Sequence, residues 1–349
     1  MTDSGTDIAA AMIAHLDGLT KPKGSLGKLE DYCVKLAKIQ GRVPPKIDKK
    51  TVYVFAGDHG VVAEGVSLYP KDVTYQMMLN FLGGGAAINA LAAGTGWEVV
   101  AVDAGVAGDF PPQSRPAAAR FLDRKIGRGT RNFATEDAMT ARELERALQA
   151  GGDLAREAAA DNDLVAIGDM GIGNTACAAA LLVASGMDAA SVVDRGTGID
   201  DEALARKRRV VAAAVAARGP FATPEDVMRG VGGYDLAMMT GFILGLQGRG
   251  VGCVLDGFPV TAAAYLAYRL QPSVTDFLFA GHRSRVAGHA PVLAALGLDP
   301  IVELDMRLGE GTGAVIGGAV VELAVKAARG MASFAQAKVS ESEGDEKDF

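Results

Sequence analysis

A chain of 349 residues with 49% hydrophobic and 22% charged content can bury a large core, as one large or two unequal domains. Its formal net charge of -7 argues against a nucleic-acid or acidic membrane surface, either of which would call for a basic stripe, so the expected partner is a small molecule. Cys33, Cys177 and Cys253 are odd in number, far apart and without CxxC spacing, which argues against a disulfide framework or zinc knuckle and for a cytoplasmic setting.

The first residues, MTDSGTDIAAAMIAHLDGL, carry acids where a signal peptide would be basic, so no leader is expected there. Residues 1–40 predict two helices, one with Ile8, Met12, His15, Leu16 and Leu19 on its apolar face, the other with Leu29, Tyr32, Cys33, Leu36 and Ile39. The link between them, TKPKGSLGKLE, is basic and turn-rich; it reads as an anion loop or as a solvated one, and it lacks P-loop spacing. TVYVFA (51–56) predicts a strand ending in GDHGV, which places Asp58 and His59 where open parallel sheets bind ligands. With four histidines in the chain and no HxH or HExxH spacing, no metal site is expected. Residues 65–89 hold Tyr69, Tyr75, Met77, Met78 and Phe81 before a glycine triplet, either a core helix or the wall of a flat aromatic pocket. EVVAV (98–102) predicts a second strand with Asp103 at its mouth. Residues 115–132, basic and irregular, read as a surface excursion, and 136–160 as an Ala-rich helix.

DLVAIGDMGIGNTA (163–176) is an apolar strand, a glycine turn and a helix start near Asn174 or Thr175, whose free N–H groups suit a phosphate. Gly171, Gly173 and Ala176 also satisfy the dinucleotide pattern GxGxxA, with Asp194 about 20 residues on as the ribose acid, although no clear second strand lies between. In VDRGTGIDDEALARKRRVV, Gly196 and Gly198 make a turn, Asp200 can cap a helix, and Lys207, two turns in, points either at a bound phosphate or into solvent. GVGCVLDGFPVTAAA repeats the strand, acid, glycine and helix order around Asp256, and residues 277–280 lead to GHRSRVAGH with Ser284. Then IVEL predicts a strand, RLGEGTGA a turn around Glu310, and residues 313–328 a buried helix. Glu310 between two glycines is either a solvated turn acid or a carboxylate set where a ligand can approach the backbone. No run reaches the ~18 uninterrupted apolar residues of a spanning helix. The alternation from about 51 to 320 predicts an α/β fold, a doubly wound, mainly parallel sheet in a 45–325 domain. A smaller helical lobe is expected from both chain ends, 1–44 with 326–339, and a disordered charged tail over 340–349.

The motifs LTKPKGSLGKLE, AGDHGV, GDMGIGNTACAAAL, GGYDLAMMTGFILG, VLDGFPVTAAA and MRLGEGTGA, in this order, resemble the nicotinate-nucleotide:dimethylbenzimidazole phosphoribosyltransferase family over nearly the whole chain. The resemblance implies a homodimer, no cofactor and no metal. It implies transfer of ribose 5-phosphate from nicotinate mononucleotide to a benzimidazole-type base, with inversion at the anomeric carbon. It makes Glu310 the catalytic base and Asp169 a possible second acid, with Gly171, Gly173, Asn174, Gly196, Lys207 and Ser284 as the nucleotide and phosphate site. Tyr69, Met77, Met170, Leu308 and Gly309 would line the base pocket. Asp169 stands where some members carry Glu, and Tyr69 and Met77 replace polar residues found in some members, which leaves open a purine or phenol acceptor, or a mononucleotide sensor without turnover. From the GxGxxA turn alone, a dinucleotide-dependent dehydrogenase is a further alternative.

Overall fold

Successive side chains of the central strands divide between two apolar layers, which is what burial of both faces of a parallel sheet requires. The computed structural model describes residues 4–110, 118–196 and 198–340. Seven strands, β1 (Lys50–Gly57), β2 (Glu98–Gly105), β3 (Arg120–Asp123), β4 (Leu164–Met170), β5 (Gly252–Leu255), β6 (Leu278–His282) and β7 (Pro300–Val302), form one sheet in the order β3-β2-β1-β4-β5-β6-β7. Every pairing is parallel. Tyr53, Phe55, Val165, Ile167, Cys253 and Leu255 face one layer, while Val52, Val54, Leu164, Ala166 and Val254 face the other. The first layer is closed by helices that include Ala141–Asp161, Asn174–Ala184, Tyr234–Leu246 and Phe258–Leu270. The second is closed by Lys28–Gln40, Asp72–Gly83, Ala87–Thr95 and Thr312–Gly330.

Strand order runs outward from β1 in one direction and from β4 in the other, so the sheet reverses between these two neighbours. The crevice beyond their carboxyl ends is the place where such sheets take ligands. Asp58 and His59 follow β1 and Asp169 closes β4, paired with Phe55.

Three findings depart from or refine the sequence expectations. The basic stretch read as a surface excursion contains the edge strand β3, which pairs Val100–Asp103 with Arg120–Asp123. Its alternation is masked by the exposed Arg120 and Asp123, as edge strands commonly are. Asp194 ends no strand, because the chain after Asn174–Ala184 enters a short helix, Ala189–Val192, and the neighbour of β4 is β5; among the described residues the dinucleotide arrangement is absent. Residues 72–95 are apolar and long enough by composition to pass for a membrane span. They form two helices broken at Gly84, and Thr74, Met78, Phe81, Ile88 and Ala92 are buried in the protein.

The two chain ends meet. Thr20 N–H donates to Ala332 O at 3.0 Å, Phe334 N–H to Gly18 O at 3.1 Å, and the His15 ring bonds Ala328 O at 2.8 Å. Met12, Leu16, Leu36 and Ala328 belong to the same apolar layer as Val52 and Phe279. The expected tail lies, from residue 341 on, outside the described residues.

Helices Ala141–Asp161 and Tyr234–Leu246 touch along their backbones, since a Cβ on Gly241 would fall 2.2 Å from Leu148 O and one on Gly151 2.0 Å from Met238 O. Gly241→Val is expected to destabilise by about 3 kcal/mol, the upper range for overpacking. Gly94→Ala, in a helix and with open space around it, should stabilise by about 0.5–1 kcal/mol. Urea unfolding midpoints at constant m check both.

Candidate functional site

Glu310 occupies a turn that few side chains would adopt. Its φ is 64°, flanked by Gly309 at 92° and Gly311 at 88°, three successive left-handed residues, of which only the glycines are unstrained. The turn reaches down onto β4: Glu310 N–H donates to Asp169 O at 3.2 Å, and a Cβ on Gly168 would stand 2.3 Å from Gly311 N. Glu310 is 5% exposed, so it is not a solvated turn acid. Its Oε2 accepts from Ile88 N–H at a long 3.4 Å. Burial, against the Ile88 bond and helped by the nearby Asp256 charge, raises Glu310 above the ordinary carboxylate range. A carboxylate so placed is a hydrogen-bond acceptor with a strengthened affinity for a proton.

Helix Asn174–Ala184 starts at the end of the β4 turn with Gly173 as its cap, φ 95°. Asn174 Nδ2 donates to Asp169 Oδ2 at 2.8 Å, and Asn174 Oδ1 accepts from Thr175 N–H at 2.7 Å. Thr175 Oγ1 accepts from Lys207 Nζ at 2.8 Å, and Lys207 also donates to Asp194 O at 3.0 Å. Lys207 is 1% exposed, in contrast to its exposed neighbours Arg206, Arg208 and Arg209, so it faces inward. Burial, partly offset by Asp194, lowers it to about 8. Gly196 lies against this pair, since a Cβ there would be 2.9 Å from Thr175 Oγ1 and 3.6 Å from Lys207 Nζ. Ser284 is buried on the far side; its N–H donates to His289 Nδ1 at 2.9 Å, and Ala287 N–H donates to Asp194 Oδ2 at 2.7 Å, which ties the Ser284 loop to the lysine's own partner. The helix N-terminus, a desolvated ammonium and two hydroxyls make this corner a candidate anion site.

A buried charge cluster lies beneath the glycine turn. His59 Nε2 is 3.0 Å from Asp235 Oδ2, an ionic contact, because neither atom has a well-aligned hydrogen bond among the described residues. Burial pulls His59 down, but Asp235, with Asp169 and Asp58, more than offsets it and the imidazole is raised. Burial and then Asp235 push Asp169 well above the carboxylate range, against His59 and Asn174. His59 is therefore the counter-charge of this acid cluster, Asp235 foremost, and no group of three or more His, Cys, Asp or Glu among the described residues could hold a metal.

Of the residues expected in a base pocket, Tyr69 (50% exposed) lines a small cavity with Gly171, Gly173, Asn174 and Thr175, on the anion side. Met77 and Met170 are half-buried against the apolar layer that contains Ile88. Gly309 is half-buried and Leu308, 54% exposed, stands at the rim. Sequence reasoning passed over Thr175, Asp235, His282 and His289. The signal for Asp235 was available, as an acid opening an otherwise apolar helix. The histidines carried none, since only burial distinguishes them. A cavity of about 820 Å³ between Lys28–Gln40 and the segments 246–251 and 273–277 lies at the opposite, amino-terminal end of the sheet and holds none of these residues.

A family model described as phosphoribosyltransferase, DBI_PRT, matches residues 2–339. A nicotinate-nucleotide–dimethylbenzimidazole phosphoribosyltransferase of Thermus thermophilus is 48% identical over 336 residues, covering 96% of this chain and 98% of the relative. One from Geobacter sp. strain M21 is 46% identical, covering 94% and 93%. A crystal structure of CobT from Thermus thermophilus superposes with a TM-score of 0.90 at 47% identity, over 96% of this chain and 100% of that one.

Lys207 generates a pH prediction. Its ammonium is present below about 8 and lost above it, so affinity for sulfate, whose own charge is constant there, should weaken as pH rises through about 8. In Lys207→Met the affinity should be weak and flat with pH. Isothermal titration from pH 6.5 to 9.5 checks this.

Proposed function

This chain belongs to the nicotinate-nucleotide–dimethylbenzimidazole phosphoribosyltransferase family, and from that premise we propose how its own residues carry the family's chemistry. It transfers the phosphoribosyl group of nicotinate mononucleotide to dimethylbenzimidazole. Nicotinate in the mononucleotide is a pyridinium and leaves with the bonding electron pair without needing an acid. The incoming ring nitrogen attacks the anomeric carbon from the opposite face, giving the inverted α-ribazole 5'-phosphate. The ring becomes cationic as the bond forms, and its other nitrogen must then lose a proton.

Glu310 takes that proton. The observation that carries this reading is a buried carboxylate at the sheet's reversal point whose hydrogen bonding is nearly unspent, so it can accept from a ring N–H and make the opposite nitrogen more nucleophilic. Gly309 leaves room for the flat base, with Met77, Met170 and Leu308 around it, while Tyr69, expected in the base pocket, lies on the phosphate side. The phosphate sits at Gly171, Gly173 and Asn174, with Lys207, Gly196 and Ser284. Asp169, which accepts from Asn174 Nδ2 at 2.8 Å, is read as holding the turn rather than as a second acid. Fixing two rings and a phosphate in an attack geometry supplies much of the acceleration.

The family resemblance further implies a homodimer, which sedimentation equilibrium would test. A cytoplasmic setting suits the three buried free thiols Cys33, Cys177 and Cys253.

Glu310→Gln is expected to lower kcat by roughly 10²-fold, the scale of a lost general base, with the KM for nicotinate mononucleotide little changed. In the wild type, kcat should fall as pH drops through the raised Glu310 value, because only the carboxylate accepts the proton. Chromatographic assay of ribazole phosphate against pH measures both. An unchanged rate in the Gln variant would remove Glu310 from the chemistry.

A further inference from the structure

Asp256 follows β5 directly, is buried, and takes no place in the phosphate or base sites. The backbone bonds it accepts come from the turn that carries Glu310. Gly311 N–H donates to Oδ2 at 2.9 Å, Gly313 N–H to Oδ1 at 2.8 Å and Ala314 N–H to Oδ1 at 3.2 Å. These donors open helix Thr312–Gly330 and have no partner within it, so the carboxylate both satisfies them and meets the positive end of the helix dipole. Glu310 itself is left-handed, a strained conformation for a non-glycine residue that persists only where its surroundings hold it.

Behind Asp256 stands His282, the last residue of β6, also buried. Its Nε2 lies 3.5 Å from Asp256 Oδ1, and neither ring nitrogen has a hydrogen-bond partner among the described residues. The ring is wedged against the helix start, since a Cβ on Gly313 would fall 2.0 Å from His282 Cδ2. The His289 ring is 5.9 Å beyond and, lowered to about 3 by burial and by His282, is neutral. The titratable groups facing Asp256 are therefore His282 and Glu310.

We propose that Asp256, backed by His282, is a positioning residue for Glu310, clamping the 310–314 turn in the left-handed form that presents the carboxylate to the crevice. This rests on the reading of Glu310 as the base. The clamp has an electrostatic consequence as well, because a second negative charge nearby strengthens Glu310's hold on a proton.

The test combines steady-state kinetics with NMR titration of protein labelled with [13C]carboxyl glutamate, the Glu310 resonance being the one absent from Glu310→Gln. Asp256→Asn removes the charge and turns one acceptor into a donor facing N–H groups. The expected result is a kcat lower by about 10-fold to 10²-fold, with KM for nicotinate mononucleotide within about threefold of wild type. The Glu310 titration and the acid limb of kcat should both move to lower pH. In a Glu310→Gln background, Asp256→Asn should add little. His282→Leu should lower kcat without moving the titration down, and His282→Gln, which restores an N–H beside Asp256, should recover most of the rate.

An unmoved Glu310 titration in Asp256→Asn, or the same loss of rate with and without Glu310, would overturn the proposal. If Asp256→Asn fails to fold, the two His282 variants decide, and equal loss in both overturns it. Absence of ribazole phosphate from the wild type would instead sink the reading of Glu310 as base, while the titration shift would still report on the clamp.

Discussion

The N–H groups that open the last long helix are buried, and water cannot reach them. Unmet, each would carry the cost of a stranded donor, so an acceptor has to be built in. Asp256 is that acceptor, and because it stands at the end of β5 it fixes the helix start to the sheet rather than to a mobile loop. Gly281, Gly313 and Gly317 let the helix lie against β6 backbone to backbone: a Cβ on Gly317 would stand 2.4 Å from Gly281 O. Gly168 does the same for the turn against β4. The position of Glu310 thus follows from a capped helix pressed onto two strands, with the strain of its own φ held by rigid surroundings.

The same corner of the fold concentrates buried charge. Lys207, Asp169, His59, Asp235 and Glu310 all lose hydration, and each has a different compensation. Lys207 keeps a hydroxyl and a carbonyl; His59 keeps an acid; Asp169 keeps the Asn174 amide. Glu310 is compensated least, by one long bond from Ile88, and is therefore the group with most to gain from a ligand N–H. Two apolar layers supply the stability that tolerates this arrangement, and Lys207 and Glu310, both displaced toward neutrality, lie at the crevice.

Much of the architecture was legible in the chain. TVYVFA, EVVAV, DLVAIG and GCVL announce strands because a sheet buried on both faces needs continuous apolar runs, and glycine and acid at each run's end announce the turns. β3 was not legible, since four residues with Arg and Asp at the ends make no pattern at an edge. Lys207 was ambiguous within ARKRR: helical periodicity tells which residues share a face but not what that face meets. Asp256 could be seen as an acid in a turn, but its three backbone partners lie 55 to 58 residues away.

The sequence by itself determined the α/β class, the alternation of strands and helices apart from β3, and the family, through long motifs of glycines and acids in a fixed order. Local propensity and hydrophobic spacing act over a few residues, and they suffice for that. Only the tertiary structure decided which charged groups lose water, that His59 serves Asp235, that Asp194 leaves the ribose role for a loop contact, and that Asp256 holds the turn of Glu310. Desolvation and capping across the sheet depend on what packs opposite, and that is set when β1, β4, β5 and β6 come to lie side by side.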